Sequence, residues 1–584
     1  MSKPFASTFV PAGFDGADWS NIEPLIKVLR ERPVASSADL ERWLIDRSDL
    51  EAACSESRAT LYIATTCNTD DQAVTDAFMR YLDNTAPKLE VAGFELDKRQ
   101  VDLAAKFPLP AERYHVLQRS KKSAVELFRE ENVPIQTELA KLSQQYGQIT
   151  GVQMVQFDGE ERTLPQMTQY LVDPNRDVRE RAWRGIASRR LQDRAELDSL
   201  LSEMVTRRDR MARNAGCADY IEYAFREKQR FDYTPAHCRA FWSAVETHVV
   251  PLVRRLDAER TRALGVPSLR PWDLSVDVHG RPGLRPFEGG RDLMRKTRAV
   301  MNALDPRLGA MTGRLGDPDA IPNGTTAMVT DCLDLDSRKG KRPGGYQYMR
   351  DYSRRPFIFM NAAGLHRDVM TMVHEAGHAF HSMLAQDEPI VDYRHSPIEF
   401  AEVASMSMEH LTMPHWGVRG GYYAREDELN RARREHIEDS ISILAWIATI
   451  DAFQHWMYQH PKHSAAERDA YWLTLDARFG HAADWSGLDA ERQSQWQRQG
   501  HLYSHPMYYI EYGIAQLGAL GLWLMSKRQG EKTAVDAYVR ALTLGGSKPL
   551  PELFGAAGLT FDFGDATVGA ITEAVEEELE ALGA

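Results

Sequence analysis

Cysteine is scarce in this chain. Five residues in 584, Cys54, Cys67, Cys217, Cys238 and Cys332, are odd in number and show no CxxC spacing. That pattern excludes a disulfide framework, argues against a thiolate zinc site and fits a reducing cytoplasm. Positive charge is also short: 71 Lys and Arg stand against 84 Asp and Glu, a formal net charge of −13. Such an excess disfavours nucleic acid and anionic membranes as partners. Long apolar runs are missing too. Residues 1–14 lack the continuous apolar stretch of an export signal, so a cytoplasmic location is expected. The longest apolar segment, 512–525, is shorter than a spanning helix and carries Gln516, which predicts a buried helix instead.

What the sequence has is length and helical periodicity. A chain of 584 residues exceeds one compact domain, so two or more lobes with a cleft are expected. Residues 18–265 are dominated by helical patterning with charged faces, as at 177–201 and 235–264. A Pro/Gly-rich interval at 266–290 reads as a connector or irregular surface segment, and helix resumes near Arg291. Three β-prone runs, 328–333, 344–349 and 355–360, are separated by Lys, Arg, Gly and Pro and predict a small antiparallel sheet. Helix returns to about 545, and an acidic helix over 568–582 closes the chain with a solvated face.

Inside an apolar run directly after those strands lies one His-Glu-x-x-His pentapeptide, His374-Glu375-Ala376-Gly377-His378. On a helix, positions four apart project from one face, so both imidazoles can share a metal, and Glu375 beside them can take a proton from an attacking water. Val369, Met372, Val373, Ala376, Phe380, Met383 and Leu384 form a core-facing stripe at helical spacing. Zinc hydrolysis is therefore the leading expectation, with the strand ahead of the motif placed to pair with an extended peptide. A stabilising hairpin without a ligand role is the plainer alternative for that strand.

A catalytic zinc takes three protein ligands and keeps an open position. His381 lies too far along the helix from His374 to share one ion with both histidines, which leaves it a supporting or structural part. Downstream, Ser396 and Glu399 have capping-box spacing around Pro397, giving Glu399 a local role at a helix start. Glu402, one turn further in, has no such local role and is the better third ligand. Glu409 lies on the same face as Glu402 and can accept a hydrogen bond from a ligand imidazole, or is simply a surface carboxylate.

These residues, with Glu402 24 positions after His378 in Phe400-Ala401-Glu402-Val403-Ala404-Ser405, resemble the oligoendopeptidase F branch of the thimet oligopeptidase family. Further landmarks are Arg270-Pro271-Trp272-Asp273-Leu274, Gly344-Gly345-Tyr346, Asp368-Val369 and the segment 506–518. One departure is Met507, where that branch usually shows Phe. The resemblance implies a mainly α-helical zinc endopeptidase, two helical lobes around a deep channel that admits short peptides, with one zinc on His374, His378 and Glu402. It implies Glu375 as general base, Tyr509 and Tyr512 as transition-state-stabilising hydroxyls and His501 as a partner of the oxyanion or substrate. His505 reads as solvent-exposed, or as a substrate contact. Gly344, Gly345, Tyr346, Phe359 and Asn361 are the remaining candidate substrate contacts. The lobes are expected as residues 1–200 and a catalytic 201–584, with the zinc site at 374–402 and the tyrosine segment at 501–518.

Two other readings share these residues. A helical zinc carboxypeptidase has the same ligand logic but needs a basic residue for the substrate's free carboxylate. A non-enzymatic peptide-binding protein could keep the fold, although Glu375 and both histidines are present. Cleavage preference, oligomeric state and the metal used in the cell are not legible.

Overall fold

The computed structural model describes residues 9–321 and 325–583. Part of the opening stretch read for an export signal, residues 1–8, lies outside them. The fold is mainly α-helical, as expected, and no helix among the described residues is long and apolar enough to cross a membrane. Six short strands occur among the described residues: β1 (Met154–Phe157), β2 (Glu160–Thr163), β3 (Val329–Thr330), β4 (Leu333–Asp336), β5 (Tyr346–Arg350) and β6 (Arg355–Ala362).

The chain forms two compact units, each gathered from three separate segments. One collects residues 1–126, 283–434 and 515–561, the other 127–282, 435–514 and 562–584. This differs from a single cut near residue 200. The unit boundaries at 434/435 and 514/515 fall inside the long helices Glu426–Gln459 and Tyr509–Gln529, where composition gives no sign of a boundary.

In the first unit, helices Trp19–Glu31 and Ser37–Cys67 start where capping residues allow. Asp18 accepts from the Ser20 N–H and Ser36 from the Asp39 N–H. Ile22, Ile26 and Leu29, spaced for one helix face, join Leu40, Trp43, Leu44, Leu96 and Leu103 in a local core that also takes Ile390 and Tyr393. The four-stranded sheet has the order β3-β4-β6-β5. β5 and β6 pair antiparallel, with Tyr346 opposite Phe359, and β3 pairs antiparallel with β4. β4 runs parallel to β6, Leu333 opposite Ile358, so the sheet is mixed and not wholly antiparallel. β5 returns antiparallel to β4 with a gap between them, and the β5–β6 hairpin turns back into that gap, so β6 runs in the direction of β4. β6 is buried over most of its length, and β5 is the edge.

In the second unit, β1 and β2 form a hairpin within the stretch read as helical. Asp158 and Gly159 both take positive φ (49° and 83°), the backbone that a tight two-residue hairpin turn needs. Val155 and Phe157 pack with Leu164, Met167, Ala182 and Ile186. The Pro/Gly-rich interval also differs from a surface connector. Trp272 is buried, and Asp273 is fully buried with Arg176 at 2.7 Å and Arg179 at 2.9 Å. A carboxylate removed from water needs such partners. The sequence landmark around Asp273 is thus a structural ion cluster.

Candidate metal centre

The motif occupies a 19-residue helix, His366–Leu384, and the candidate third ligand the next long one, Ile398–Thr412. Asp368 fixes the start of the motif helix by accepting the backbone N–H groups of Ala363 (2.8 Å) and Leu365 (2.9 Å). Val369, Met372, Val373, Ala376, Phe380 and Met383 are buried, as their spacing predicts.

Gly377 decides how closely the two helices approach. A Cβ there would overlap the Ala404 carbonyl oxygen and lie 2.6 Å from Ser405 Cα, both backbone atoms that cannot rotate aside. From the other side, the Tyr538 hydroxyl donates to that same Ala404 carbonyl at 2.9 Å. The glycine of the pentapeptide therefore lets Glu402 come within reach of the imidazoles. Gly377→Ala is expected to cost about 1–3 kcal/mol through overpacking. A lowered midpoint in chemical denaturation checks this, and an unchanged midpoint would show that the helices can part freely.

Glu402 Oε2 lies 3.4 Å from His374 Nε2 and 3.6 Å from His378 Nε2. Two ligand atoms about 2.1 Å from a tetrahedral ion stand about 3.4 Å apart. The donor set, two imidazoles and a carboxylate, and its spacing thus fit a divalent cation such as zinc, and ligand atoms of all three residues lie within 4.8 Å of one another. Around them, His374 Nδ1 is 2.7 Å from Glu409 Oε1, and Ser405 Oγ donates to Glu402 Oε2 at 2.9 Å. Glu409 is thus hydrogen-bonded to the His374 imidazole and is not simply a surface carboxylate. Ser405, one turn after Glu402, was not singled out in the sequence, although its position at i+3 is the available signal.

Electrostatics set the three candidate ligands apart. Burial works against charge on Glu402, but the hydrogen bond from His374 and the two imidazoles outweigh it and hold the carboxyl at about 2. Burial takes His378 down to about 4. His374 goes the other way: against burial, its hydrogen bonds to Glu402 and Glu409 raise it well above the usual histidine range. Glu375, 7% exposed, is pushed up to about 7, first by burial and then by Glu402, with His374 and the Gln347 N–H opposing. The Gln347 contact places Glu375 at the outer edge of β5. A Cβ on Gly345 would lie 2.9 Å from Thr371 Cγ2, so the glycine lets this strand approach the motif helix closely.

Other candidate residues fall into place differently. His381 is buried, with its Nε2 2.9 Å from Ser396 Oγ, a structural contact away from the ligand cluster. Ser396 does not cap the following helix. The cap residue is Pro397, which has no side-chain donor or acceptor, and the Ser396 hydroxyl donates to the Gly545 carbonyl at 2.8 Å. The predicted capping box is lost because tertiary partners claim the serine. Gly344 takes φ +112°, and its carbonyl accepts Asn361 Nδ2 at 2.8 Å, so Asn361 holds the loop that precedes β5. Tyr346 stacks on Phe359 at 4.9 Å and shares a 2.6 Å hydrogen bond with Thr66. Phe359, 1% exposed, has no face left for a peptide and serves as the floor beneath Tyr346.

Tyr509, Tyr512, His501 and His505 belong to the second unit. His501 lies 5.1 Å from Tyr509 and 6.0 Å from Tyr512 between ring centroids, and the two tyrosines are 5.6 Å apart. The Tyr509 hydroxyl donates to Gln499 Oε1 at 2.9 Å, and Gln499 Nε2 is 2.7 Å from His501 Nδ1. Gln499 ties the cluster together and went unnoticed in the sequence. His505 is exposed. Met507, the departure from the family pattern, takes φ +60° and is fully buried, and its N–H donates to Gln454.

The model of peptidase family M3 matches residues 169–279 and 324–572, more than half of the chain. The chain belongs to peptidase family M3. It is 26% identical to oligopeptidase PepF of Bacillus subtilis over 324 residues, 53% of this chain and 44% of that protein. It is 27% identical to an oligoendopeptidase F homolog of Borreliella burgdorferi over 232 residues, 38% of this chain and 37% of the relative. The matched segments thus span less than half the length of either curated relative. A crystal structure described as an oligoendopeptidase F superimposes with a TM-score of 0.83 at 26% identity, covering 99% of both chains. The relatives carry the names to which the sequence landmarks pointed.

Proposed function

We propose that this M3-family chain is a zinc-dependent endopeptidase that cleaves internal bonds of short peptides, acting in the cytoplasm. The observation that supports this reading above all is the approach of Glu402 to His374 and His378 at 3.4 and 3.6 Å with Glu375 alongside. A zinc ion held by those three residues supplies Lewis acidity, lowering the pKa of a water and polarising the scissile carbonyl.

The chain's own groups do the rest. Glu375 accepts the proton of the attacking water and returns it to the leaving amine. Its buried position beside β5 keeps it within reach of a peptide that pairs with that strand's free edge in extended form. Glu409 holds His374 in the orientation that turns Nε2 toward Glu402.

Chelation is expected to abolish cleavage of a fluorogenic peptide and zinc to restore it. Activity that survives complete metal removal contradicts the reading. A peptide amidated at its C-terminus should be cut as readily as the free form; resistance confined to the amide supports a carboxypeptidase instead. Glu409→Ala is expected to weaken metal affinity by about 10–100-fold, measured by competition with a chromophoric chelator. Glu409→Gln, which keeps an acceptor for Nδ1, should lose less, and equal losses would deny Glu409 its orienting part.

A further inference from the structure

Outside the peptidase centre, the second unit buries another set of metal-ligating side chains. Cys238 lies on helix Pro235–Ala244, and Asp451 and His455 lie one turn apart on helix Glu426–Gln459. One ligand atom from each lies within 4.8 Å of the others, and all three residues are at most 1% exposed. His455 Nε2 is 3.8 Å from Asp451 Oδ2, too long for a hydrogen bond but close to the spacing of two ligands on one ion, about 3.4 Å.

The polar atoms of this cluster are poorly satisfied by protein alone. Both ring nitrogens of His455 and Oδ1 of Asp451 are buried with no hydrogen-bond partner. Each such atom costs about 1–3 kcal/mol. The surroundings offer His455 little: Trp242 and Phe225 meet its ring edge-on at 5.0 and 6.3 Å between centroids. Asp451 Oδ2 accepts the Trp242 indole N–H at 2.8 Å, a contact that orients the carboxylate as outer partners orient metal ligands. Arg230 and Arg239 are the nearby cations, and the charge of Arg230 is answered by Glu511 at 2.6 Å.

We propose that Cys238, Asp451 and His455 form a second, structural site for a thiolate-accepting divalent cation such as zinc, which ties helix Pro235–Ala244 to helix Glu426–Gln459. A thiolate, a carboxylate and an imidazole match the borderline-soft character of zinc, and two negative ligands balance its charge. Burial pushes the Asp451 carboxyl up to about 7 and the Cys238 thiol well above its usual range, so an ion entering here displaces protons. The cysteines show no metal spacing along the sequence because this thiol finds its partners on a distant helix.

The full chain, produced in cobalt-supplemented medium so that the ion can enter before the core closes, tests this. The peptidase ligands include no sulfur, so a thiolate-to-cobalt charge-transfer band in the near ultraviolet reports a cysteine ligand elsewhere, which Cys238→Ser assigns among the five cysteines. The expected result is that band in the wild type, its loss in Cys238→Ser, and two ions per chain after dialysis. A wild type without the band overturns the proposal whatever the ion count, as does a band that survives Cys238→Ser. Where Cys238→Ser fails to fold, His455→Gln provides the second variant, and the wild-type spectrum decides without either. Peptidase activity is not the readout, so failure here leaves the His374, His378 and Glu402 assignment standing.

Discussion

Glu375→Gln is expected to lower kcat by about 10²–10⁴-fold while metal content stays at the wild-type level. The substitution keeps side-chain volume and an oxygen able to accept the Gln347 N–H, so the helix and the adjoining end of β5 have no reason to move. What is lost is the capacity to take a proton from the attacking water and deliver it to the amine. Glu375 is placed for this because it is buried beside the set formed by His374, His378 and Glu402, near enough for the charges of His374 and Glu402 to act on it. The measurement pairs kcat and KM on a fluorogenic peptide with metal analysis of the same sample. Unchanged turnover removes Glu375 from the chemistry. Loss of activity together with loss of metal assigns it to holding the ion instead.

The candidate centre was largely legible because its parts are local. His374, Glu375 and His378 lie within two turns of one helix, and the apolar stripe at helical spacing identifies the face on which they sit. Glu402 could be chosen because it is the carboxylate with no local task on the next helix. The geometry also joins Glu409 to His374, a contact between two helices that both carry their own periodic signal. Where tertiary contacts decide, sequence reasoning fails. The local pattern gives Ser396 to Glu399, yet Gly545 and His381 take its hydroxyl. The parallel pairing of β4 with β6 arises because the β5–β6 hairpin places β6 between β4 and β5, and composition does not record the order of strands in a sheet. Asp158-Gly159 is a local hairpin signal set inside helical surroundings, and the two positive-φ residues override the helical periodicity on either side. The Pro/Gly-rich interval around Asp273 reads as a connector or irregular surface segment, while Arg176 and Arg179, far back in the sequence, make the burial of Asp273 possible. The discontinuous units follow the same rule, since their boundaries at 434/435 and 514/515 fall inside long helices where composition does not change.

Glu402→Ala is expected to remove one bound ion per chain and cleavage with it. Losing an outer partner such as Glu409 costs about 10–100-fold in affinity, and losing a direct ligand should cost more, because two neutral imidazoles replace a set that carried a negative charge. The fold should survive. Ser405 Oγ still donates to the backbone carbonyl of residue 402 at 3.0 Å, and neither the Gly377 contact nor the Tyr538 bond to Ala404 involves the carboxylate. His374 also keeps Glu409, so its ring stays anchored on one side. Glu402→Gln separates charge from shape, since the amide retains an oxygen for Ser405 but carries no charge; it should hold metal only slightly better than the alanine. Metal analysis after dialysis, beside a far-ultraviolet circular dichroism spectrum that reports the helices, reads both outcomes. If the alanine variant retains as much metal as the wild type with its helices intact, the third ligand lies elsewhere and the proposed centre must be redrawn around His374 and His378 alone.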